Sequence, residues 1–305
     1  MKAGTNLEKV LESGKFAVTA EAGPPKGTSA EAVKKKAELL RHCCDAVNVT
    51  DNQTAIVRMS SIAGCAILKQ NGVEPVMQMV VRDRNRLAIQ ADVLGAIALG
   101  IGNILCLSGD HQKFGNHPTA KGVFDIDSIQ LIQTLNNMRD EKKFLSGEDI
   151  SGEVPLFIGA AANPFADPFE FRVSRLAKKI KAGADFIQTQ AVYDMARFTK
   201  WMEMAIKRGL DKQVHILAGI IPIKSAGMAR YMRDYVPGVI VPDEIVTRLG
   251  EAENAKEEGL KIALELIGQL KEMPGIHGIH IMAVGWEDIV PEIVEKAGLL
   301  PRPVL

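Results

Sequence analysis

The sequence predicts a single-domain α/β protein, a parallel (β/α)8 barrel, on three observations. Eight short apolar runs alternate with longer amphipathic ones; alternation favours a parallel sheet, and eight strand–helix units close it. The apolar runs are mostly continuous, as in strands that helices cover from outside. No G-x-G-x-x-G follows the first run, which weighs against the rival doubly wound open sheet. At 305 residues the chain has the length such barrels use as one domain.

Strands are predicted at 16–22, 46–50, 74–81, 103–109, 155–162, 185–192, 214–222 and 278–284. Between them, helical spacing of apolar residues marks 29–43, 86–100, 127–143, 169–183, 195–209 and 226–236. In the first of these, Ala32, Ala37, Leu39 and Leu40 fall on one side with lysines opposite. Gly72, Gly100, Gly183, Gly209 and Gly238 follow such runs and read as stops. Two stretches break the alternation: a polar insertion at 143–154 before strand five, and a helical excursion at 242–273 between strands seven and eight.

Hydrophobic residues make up 47% and charged residues 24% of the chain, which excludes disordered and fibrous classes. Lys+Arg 37 balance Asp+Glu 37, so there is no global basic field to hold nucleic acid or an anionic membrane. The first sixteen residues are charged throughout, without the apolar core of a signal peptide. The longest uncharged stretch, 93–109, is broken by glycines and is shorter than the ~20 residues of a membrane helix. A cytoplasmic protein is expected. Cys43, Cys44, Cys65 and Cys106 never form C-x-x-C, which argues against a disulfide framework and against a cluster or zinc site made by this chain alone.

In a parallel barrel, chemistry collects at the C-terminal strand ends. Those ends carry Glu21, Thr50-Asp51, Gln78, Asp110, Asn163, Gln190 and Ile221-Pro222. Glu21 and Asp110 are thus expected at one mouth. Glu21 lies between Ala20 and Ala22; apolar neighbours raise a carboxyl's pKa and suit it to general acid work. The plain alternative is a strand-end glutamate in water or paired with Lys26. Asp110 reads equally as the cap of a short turn. Gln190 reads as a buried hydrogen-bonding residue or as a ligand for a heterocycle. The pairs His277/His280 and His111/His117 lack i,i+4 spacing and a third ligand, so no metal site is expected. Lys224, just after strand seven, is the one lysine near a strand end that could form a Schiff base, and it reads better as the start of the next helix.

Eight segments, each weak alone, fall in order on these strands: Glu21-Ala22-Gly23-Pro24-Pro25, Asn48-Val49-Thr50, Leu107-Ser108-Gly109-Asp110, Phe124-Asp125-Ile126-Asp127, Ala160-Ala161-Ala162-Asn163-Pro164, Lys181-Ala182-Gly183-Ala184-Asp185, Thr189-Gln190-Ala191-Val192-Tyr193-Asp194 and Gly219-Ile220-Ile221-Pro222. Through them the chain resembles the methylenetetrahydrofolate reductases over nearly its full length, most of all those of anaerobic one-carbon metabolism. The resemblance implies a flavin-bearing barrel that passes a hydride from N5 of reduced flavin to 5,10-methylenetetrahydrofolate, giving 5-methyltetrahydrofolate. It implies that Glu21 protonates a folate nitrogen so that the five-membered ring opens to an iminium, and that Gln190 hydrogen-bonds the pterin. It puts Asp110 beside the flavin pyrimidine, where negative charge favours a cationic acceptor. Thr50, Gln78, Phe124, Asn163, Lys178 and Lys179 are implied around the flavin and its phosphates, although the lysine pair also reads as a solvated helix face. The cofactor implied is non-covalent FAD, with FMN as the alternative.

The chain also departs from the family's pattern. The loop after Glu21 is the small pair Ala22-Gly23, a histidine expected after strand three reads Val76, and the aromatic that gates a nicotinamide site reads Ala226. Tyrosine and arginine positions near the last strand read Met282 and Trp286. These changes imply an electron-delivering partner protein, an iron–sulfur subunit, in an oligomeric assembly; the alternative is an ordinary homo-oligomer using a nicotinamide. Two other readings stay open at this point: a flavin-free barrel lyase or aldolase, and a non-catalytic barrel subunit of an electron-transfer complex.

Overall fold

The computed structural model describes residues 1–236 and 238–305. Eight parallel strands follow one another around a closed barrel: β1 (Ala17–Ala22), β2 (Ala46–Val49), β3 (Pro75–Val80), β4 (Asn103–Leu107), β5 (Phe157–Ala162), β6 (Phe186–Ala191), β7 (His215–Ile220) and β8 (Gly278–Ile281). All eight fall inside the predicted runs. The helices are α1 (Asn6–Glu12), α2 (Ala30–Leu40), α3 (Ser61–Gln70), α4 (Arg86–Ala98), α5 (Ser128–Asn136), α6 (Phe169–Lys181), α7 (Met195–Lys207), α8 (Ala226–Tyr235), α9 (Asp243–Glu251), α10 (Ala255–Lys271) and α11 (Val290–Lys296). The excursion at 242–273 is the pair α9 and α10. The insertion at 143–154 begins with a tight turn closed by one antiparallel bridge, Lys143 to Asp149. It lies on the αβ side of the barrel, the face opposite the strand C-termini.

Helix stops act where glycine was expected. Gly72, Gly100, Gly183 and Gly209 all have positive φ. In each case the next residue's N–H reaches back to the last turn, as in Val73 N to Leu68 O at 3.1 Å and Ile101 N to Ala96 O at 2.9 Å.

Along each strand, alternate residues face the barrel interior. Their lowest layer is Ala17, Ala46, Val76, Leu105, Phe157, Phe186 and Leu217, into which Leu7, Val10 and Leu11 of α1 pack. The amphipathic first turns of the chain therefore plug the barrel floor. Phe157 and Phe186 stack across it with ring centroids 5.2 Å apart. They fit because Gly159 carries no side chain: a Cβ there would come within 2.2 Å of the Phe186 ring. Val76 belongs to this floor and is fully buried, so it is not the post-strand position expected from sequence. It is the second residue of β3, at the end of the barrel away from the mouth.

Above the floor the interior turns polar, with Thr19, Asn48, Gln188 and His280 all buried. Higher still stand Glu21, Gln78 and Gln190. The outward-facing residues form the continuous apolar layer under the helices.

Because α1 seals the floor with three fully buried or nearly buried side chains, Leu7→Ala should cost ~2–5 kcal/mol, the range for truncating a core leucine. Urea unfolding should show a lower midpoint at unchanged slope. A loss under ~1 kcal/mol would mean that α1 is an ornament on a barrel that closes without it.

Candidate active site

At the strand C-termini a cavity of about 360 Å³ opens, lined among others by Glu21, Gln78, Asn163, Lys179, Gln190 and Met282. Glu21 is the third inward-facing residue of β1, above Ala17 and Thr19. Its side chain is only 12% exposed. Burial pushes its carboxyl from the ordinary 4.5 up to about 7, against the opposing pull of the Gln78 and Gln53 amides and of Lys36. Gln53 Nε2 donates to Oε1 at 3.2 Å and Gln78 Nε2 approaches Oε2 at 3.4 Å. Lys26, the alternative partner, is solvent-exposed. Lys36 is engaged with Glu287 at 2.6 Å and with the Gly23 carbonyl at 3.0 Å. Near pH 7 the site therefore holds a carboxylic acid able both to keep and to give up its proton.

Asp110 sits outside the cavity wall, on the exposed loop after β4. Its carboxylate accepts the Thr54 backbone N–H at 3.0 Å. The single 3₁₀ turn Gln53–Ala55 thus touches both carboxylates, Glu21 through a side chain and Asp110 through its backbone. Asn52, Thr54 and Ala55 adopt positive φ to make it, a conformation that non-glycine residues hold only when their surroundings fix it. Arg82 does much of the fixing. Buried in the mouth, it donates to the Asp110 carbonyl at 2.9 Å, to the Asn52 carbonyl at 3.3 Å and to both oxygens of Asp83. Gly115 seats the two loops together, since a Cβ there would meet the Ala55 carbonyl at 1.8 Å.

The remaining expected residues divide. Gln190 and Asn163 line the cavity, Asn163 with its Oδ1 held by the Phe165 N–H at 2.9 Å. Lys179 lines it too and donates to the Ala161 carbonyl; burial, with Arg175 one turn before it, draws the ammonium down to about 8. Lys178 does not join it: it is exposed, with its ammonium 5.9 Å from the Phe171 ring centroid. Two adjacent helical residues point about 100° apart, so only one can face the mouth. Asp51 is likewise turned away, accepting the Val80 N–H at 2.9 Å and pairing with Arg84 at 2.6 Å. Phe124, at φ 40°, is 44% exposed on the loop after β4, and its ring covers Gly122. Thr50 is buried, and its hydroxyl has no hydrogen-bond partner among the described residues.

Sequence reading missed Gln53, Arg82, Arg172, Arg175 and His280. The arginines of α6 line the cavity beside Lys179, and their spacing from it, seven and four residues, is a helix-face signal that was available. His280 of β8 and Met282 just beyond it follow one inward-facing two-residue period, the same period that picks out Glu21.

Fold and site together define a (β/α)8 barrel with a proton-holding carboxylic acid at its mouth, between amide side chains on one side and cationic ones on the other. The methylenetetrahydrofolate reductase family model matches residues 6–298, and the chain belongs to that family. It is 28% identical over 238 residues to methylenetetrahydrofolate reductase 1 of Schizosaccharomyces pombe, covering 75% of this chain and 36% of that protein. Against methylenetetrahydrofolate reductase 2 of Saccharomyces cerevisiae it is 29% identical, covering 75% of this chain and 37% of the relative. The chain thus spans little more than a third of the length of these yeast relatives. The 5,10-methylenetetrahydrofolate reductase of Pectobacterium carotovorum is 20% identical, with 77% of this chain and 73% of that protein covered. A solved structure from Clostridium thermocellum, of a protein that binds two copies of 5-methyl-5,6,7,8-tetrahydrofolic acid, matches with a TM-score of 0.69. It covers 96% of this chain at 14% identity, a likeness of fold.

The raised Glu21 value makes stability depend on pH in a fixed direction. The folded state binds this proton more tightly than the unfolded chain does, so the cost of the buried carboxylate is absent below pH 4.5, grows between 4.5 and about 7, and is complete above. Glu21→Gln, which cannot ionise, should therefore be more stable than wild type at pH 8 by on the order of 3 kcal/mol. At pH 4 the two should unfold together. Equal stability at both pH values would show that Glu21 titrates like a solvated glutamate.

Proposed function

We propose that the chain reduces 5,10-methylenetetrahydrofolate to 5-methyltetrahydrofolate with the help of a bound flavin, Glu21 acting as general acid. The observation that carries this reading is the Glu21 carboxyl: buried, raised to about 7 so that it still holds a proton in a sizeable fraction of molecules near neutral pH, and open on one side to a cavity of heterocycle size. Family membership supplies the reaction class. Folate is also what the Clostridium thermocellum protein of like fold binds.

The residues present suit a flavin. The buried, unpartnered Nε of Arg172, on the cavity wall, is a polar atom that calls for a ligand. Lys179, Arg172 and Arg175 would hold its phosphates, FAD being preferred to FMN. Gln78 and Asn163 would meet polar edges of the ring system. Asp110 and Phe124 would flank it from the loop after β4. Lys178 is left out of this set. When bound, the flavin supplies the two-electron reducing equivalent.

The protein's own part is to place and protonate the substrate. Gln190, at the end of β6, offers an amide to the pterin ring. Glu21 gives its proton to a folate nitrogen, the five-membered ring opens, and the iminium so formed is the electrophile that is reduced. Asp110, on the exposed loop outside the cavity wall, would contribute only a solvent-screened negative charge to the developing cation. Lys224, the lysine of the lyase alternative, does not line the cavity and donates to the Gly285 carbonyl at 2.8 Å.

Reducing equivalents are assigned to an iron–sulfur partner protein. Ala226 opens α8 with a methyl group, Met282 lines the cavity, and Trp286 is packed into the core. None of the three offers a ring to stack on a nicotinamide. The isolated, flavin-loaded chain should turn over with a one-electron dye and not with NADH or NADPH; nicotinamide reduction of the flavin faster than ~1 s⁻¹, the low end of ordinary turnover, would remove the need for a partner.

The function itself is tested by reconstituting the chain with FAD or FMN, photoreducing it anaerobically and adding 5,10-methylenetetrahydrofolate. Wild type should reoxidise and yield 5-methyltetrahydrofolate. Glu21→Gln should keep its flavin and lose ~10²–10⁴-fold in rate. A chain that takes up neither flavin, or a variant that matches wild type, sinks the proposal.

A further inference from the structure

Beneath Glu21 lies a chain of buried polar side chains that the proposed reaction leaves without a task. Thr19 of β1, Asn48 of β2, Gln188 of β6 and His280 of β8 are each at most 3% exposed. Asn48 and Gln188 form a reciprocal amide pair, Nδ2 to Oε1 at 2.7 Å and Nε2 to Oδ1 at 3.1 Å. Gln188 Nε2 also donates to Thr19 Oγ1 at 3.2 Å. Thr19 therefore accepts from one side and has one proton to give. Its two acceptors are His280 Nδ1 at 2.9 Å and the Ile279 carbonyl at 3.3 Å. We assign the proton to the nearer ring nitrogen rather than to the Ile279 carbonyl; a hydroxyl that donates to Nδ1 leaves the proton of a neutral imidazole on Nε2.

That Nε2 faces Glu21 Oε2 at 3.9 Å. The imidazole is neutral, since burial drives its pKa down to about 3, so the contact is no ion pair. At 3.9 Å it is also too long for a hydrogen bond. About 1 Å of carboxyl movement would close it.

We propose that His280 is a positioning residue for Glu21: its Nε2–H, oriented by the Thr19–Gln188–Asn48 chain, receives the carboxylate left behind when Glu21 has given its proton away. The proposal rests on the reading of Glu21 as a general acid. A desolvated acid transfers its proton readily only if the anion it becomes finds donors already in place. Gln53 from the loop after β2 and Gln78 from β3 supply two amides. The charged groups facing Glu21 are Lys36 of α2 and Glu287 beyond β8, which oppose each other and are paired at 2.6 Å. His280 adds a donor from the barrel interior, where water does not compete. A neutral donor suits this task better than a cation, because a cation would hold Glu21 ionised before the substrate arrives.

The test is a ¹³C titration of the Glu21 carboxyl in the full chain without flavin or folate, its signal assigned by its disappearance in Glu21→Gln. Wild type should titrate near pH 7. His280→Leu removes the donor and should move the midpoint up by about one pH unit, the scale of a hydrogen bond to a charged group. His280→Gln, which returns an N–H near the Nε2 position, should bring it back. Thr19→Val keeps the volume, frees the imidazole to carry its proton on Nδ1, and should also raise the midpoint. An unchanged or lowered midpoint in His280→Leu or Thr19→Val overturns the proposal, and the threonine variant decides should the histidine one fail to fold. Since the titration involves no ligand, a raised midpoint beside a chain without reductase activity would leave the His280–Glu21 coupling standing and reject the functional reading instead.

Discussion

A carboxyl group taken out of water at the open end of a barrel, without a cation in contact among the described residues, is the constraint on which the site depends. Glu21 is reached by amides and a neutral imidazole, while the nearest ammonium, Lys36, is spent on Glu287. Had Lys36 bonded Glu21 directly, the pair would have locked the carboxylate form and its proton would be gone at neutral pH. The arrangement keeps the acid form available at a cost in folding stability above pH 7. That cost is borne by the floor and the outer apolar layer, where nearly every side chain is buried and uncharged.

The interior is graded to make this possible. An apolar floor, closed by α1, excludes water from below. A polar middle layer, Thr19, Asn48, Gln188 and His280, is tied together by internal hydrogen bonds and leaves one nitrogen, His280 Nε2, turned toward Glu21. The register puts Thr19 beside His280 and Glu21 beside Asn48, so the carboxyl stands directly on that layer. Above it, the loops after β2 and β4 are held together by Arg82, and the 3₁₀ turn at Gln53–Ala55 joins the two carboxylates that the strand ends supply.

The strands were legible because each is a continuous apolar run, and the barrel followed from their number. α1 and α11 were harder to see because they are seven-residue helices, and α3 was marked only by its stop at Gly72. Glu21, Gln78, Asn163 and Gln190 reach the cavity because strand ends in a parallel barrel must. Lys178 is exposed and Asp51 is held by Arg84: sequence gives the neighbourhood of a residue and not which of two adjacent residues faces inward. The turn at Gln53 was hidden for another reason. Its left-handed residues are Asn52, Thr54 and Ala55, and neither a glycine nor a proline marks the place. Arg82 is a tertiary brace, and no local pattern encodes the three groups it joins.

The central claim is that Glu21 carries the proton for the reaction at neutral pH. It is tested most directly by the pH dependence of a single turnover, in which the reduced, flavin-loaded chain is mixed anaerobically with 5,10-methylenetetrahydrofolate between pH 5 and 9 and flavin reoxidation is followed. The account predicts a rate constant that is level at low pH and falls tenfold per unit above a midpoint near 7, with that midpoint absent from the residual rate of Glu21→Gln. A wild-type rate that is independent of pH across 7, or a midpoint that survives in Glu21→Gln, would contradict it.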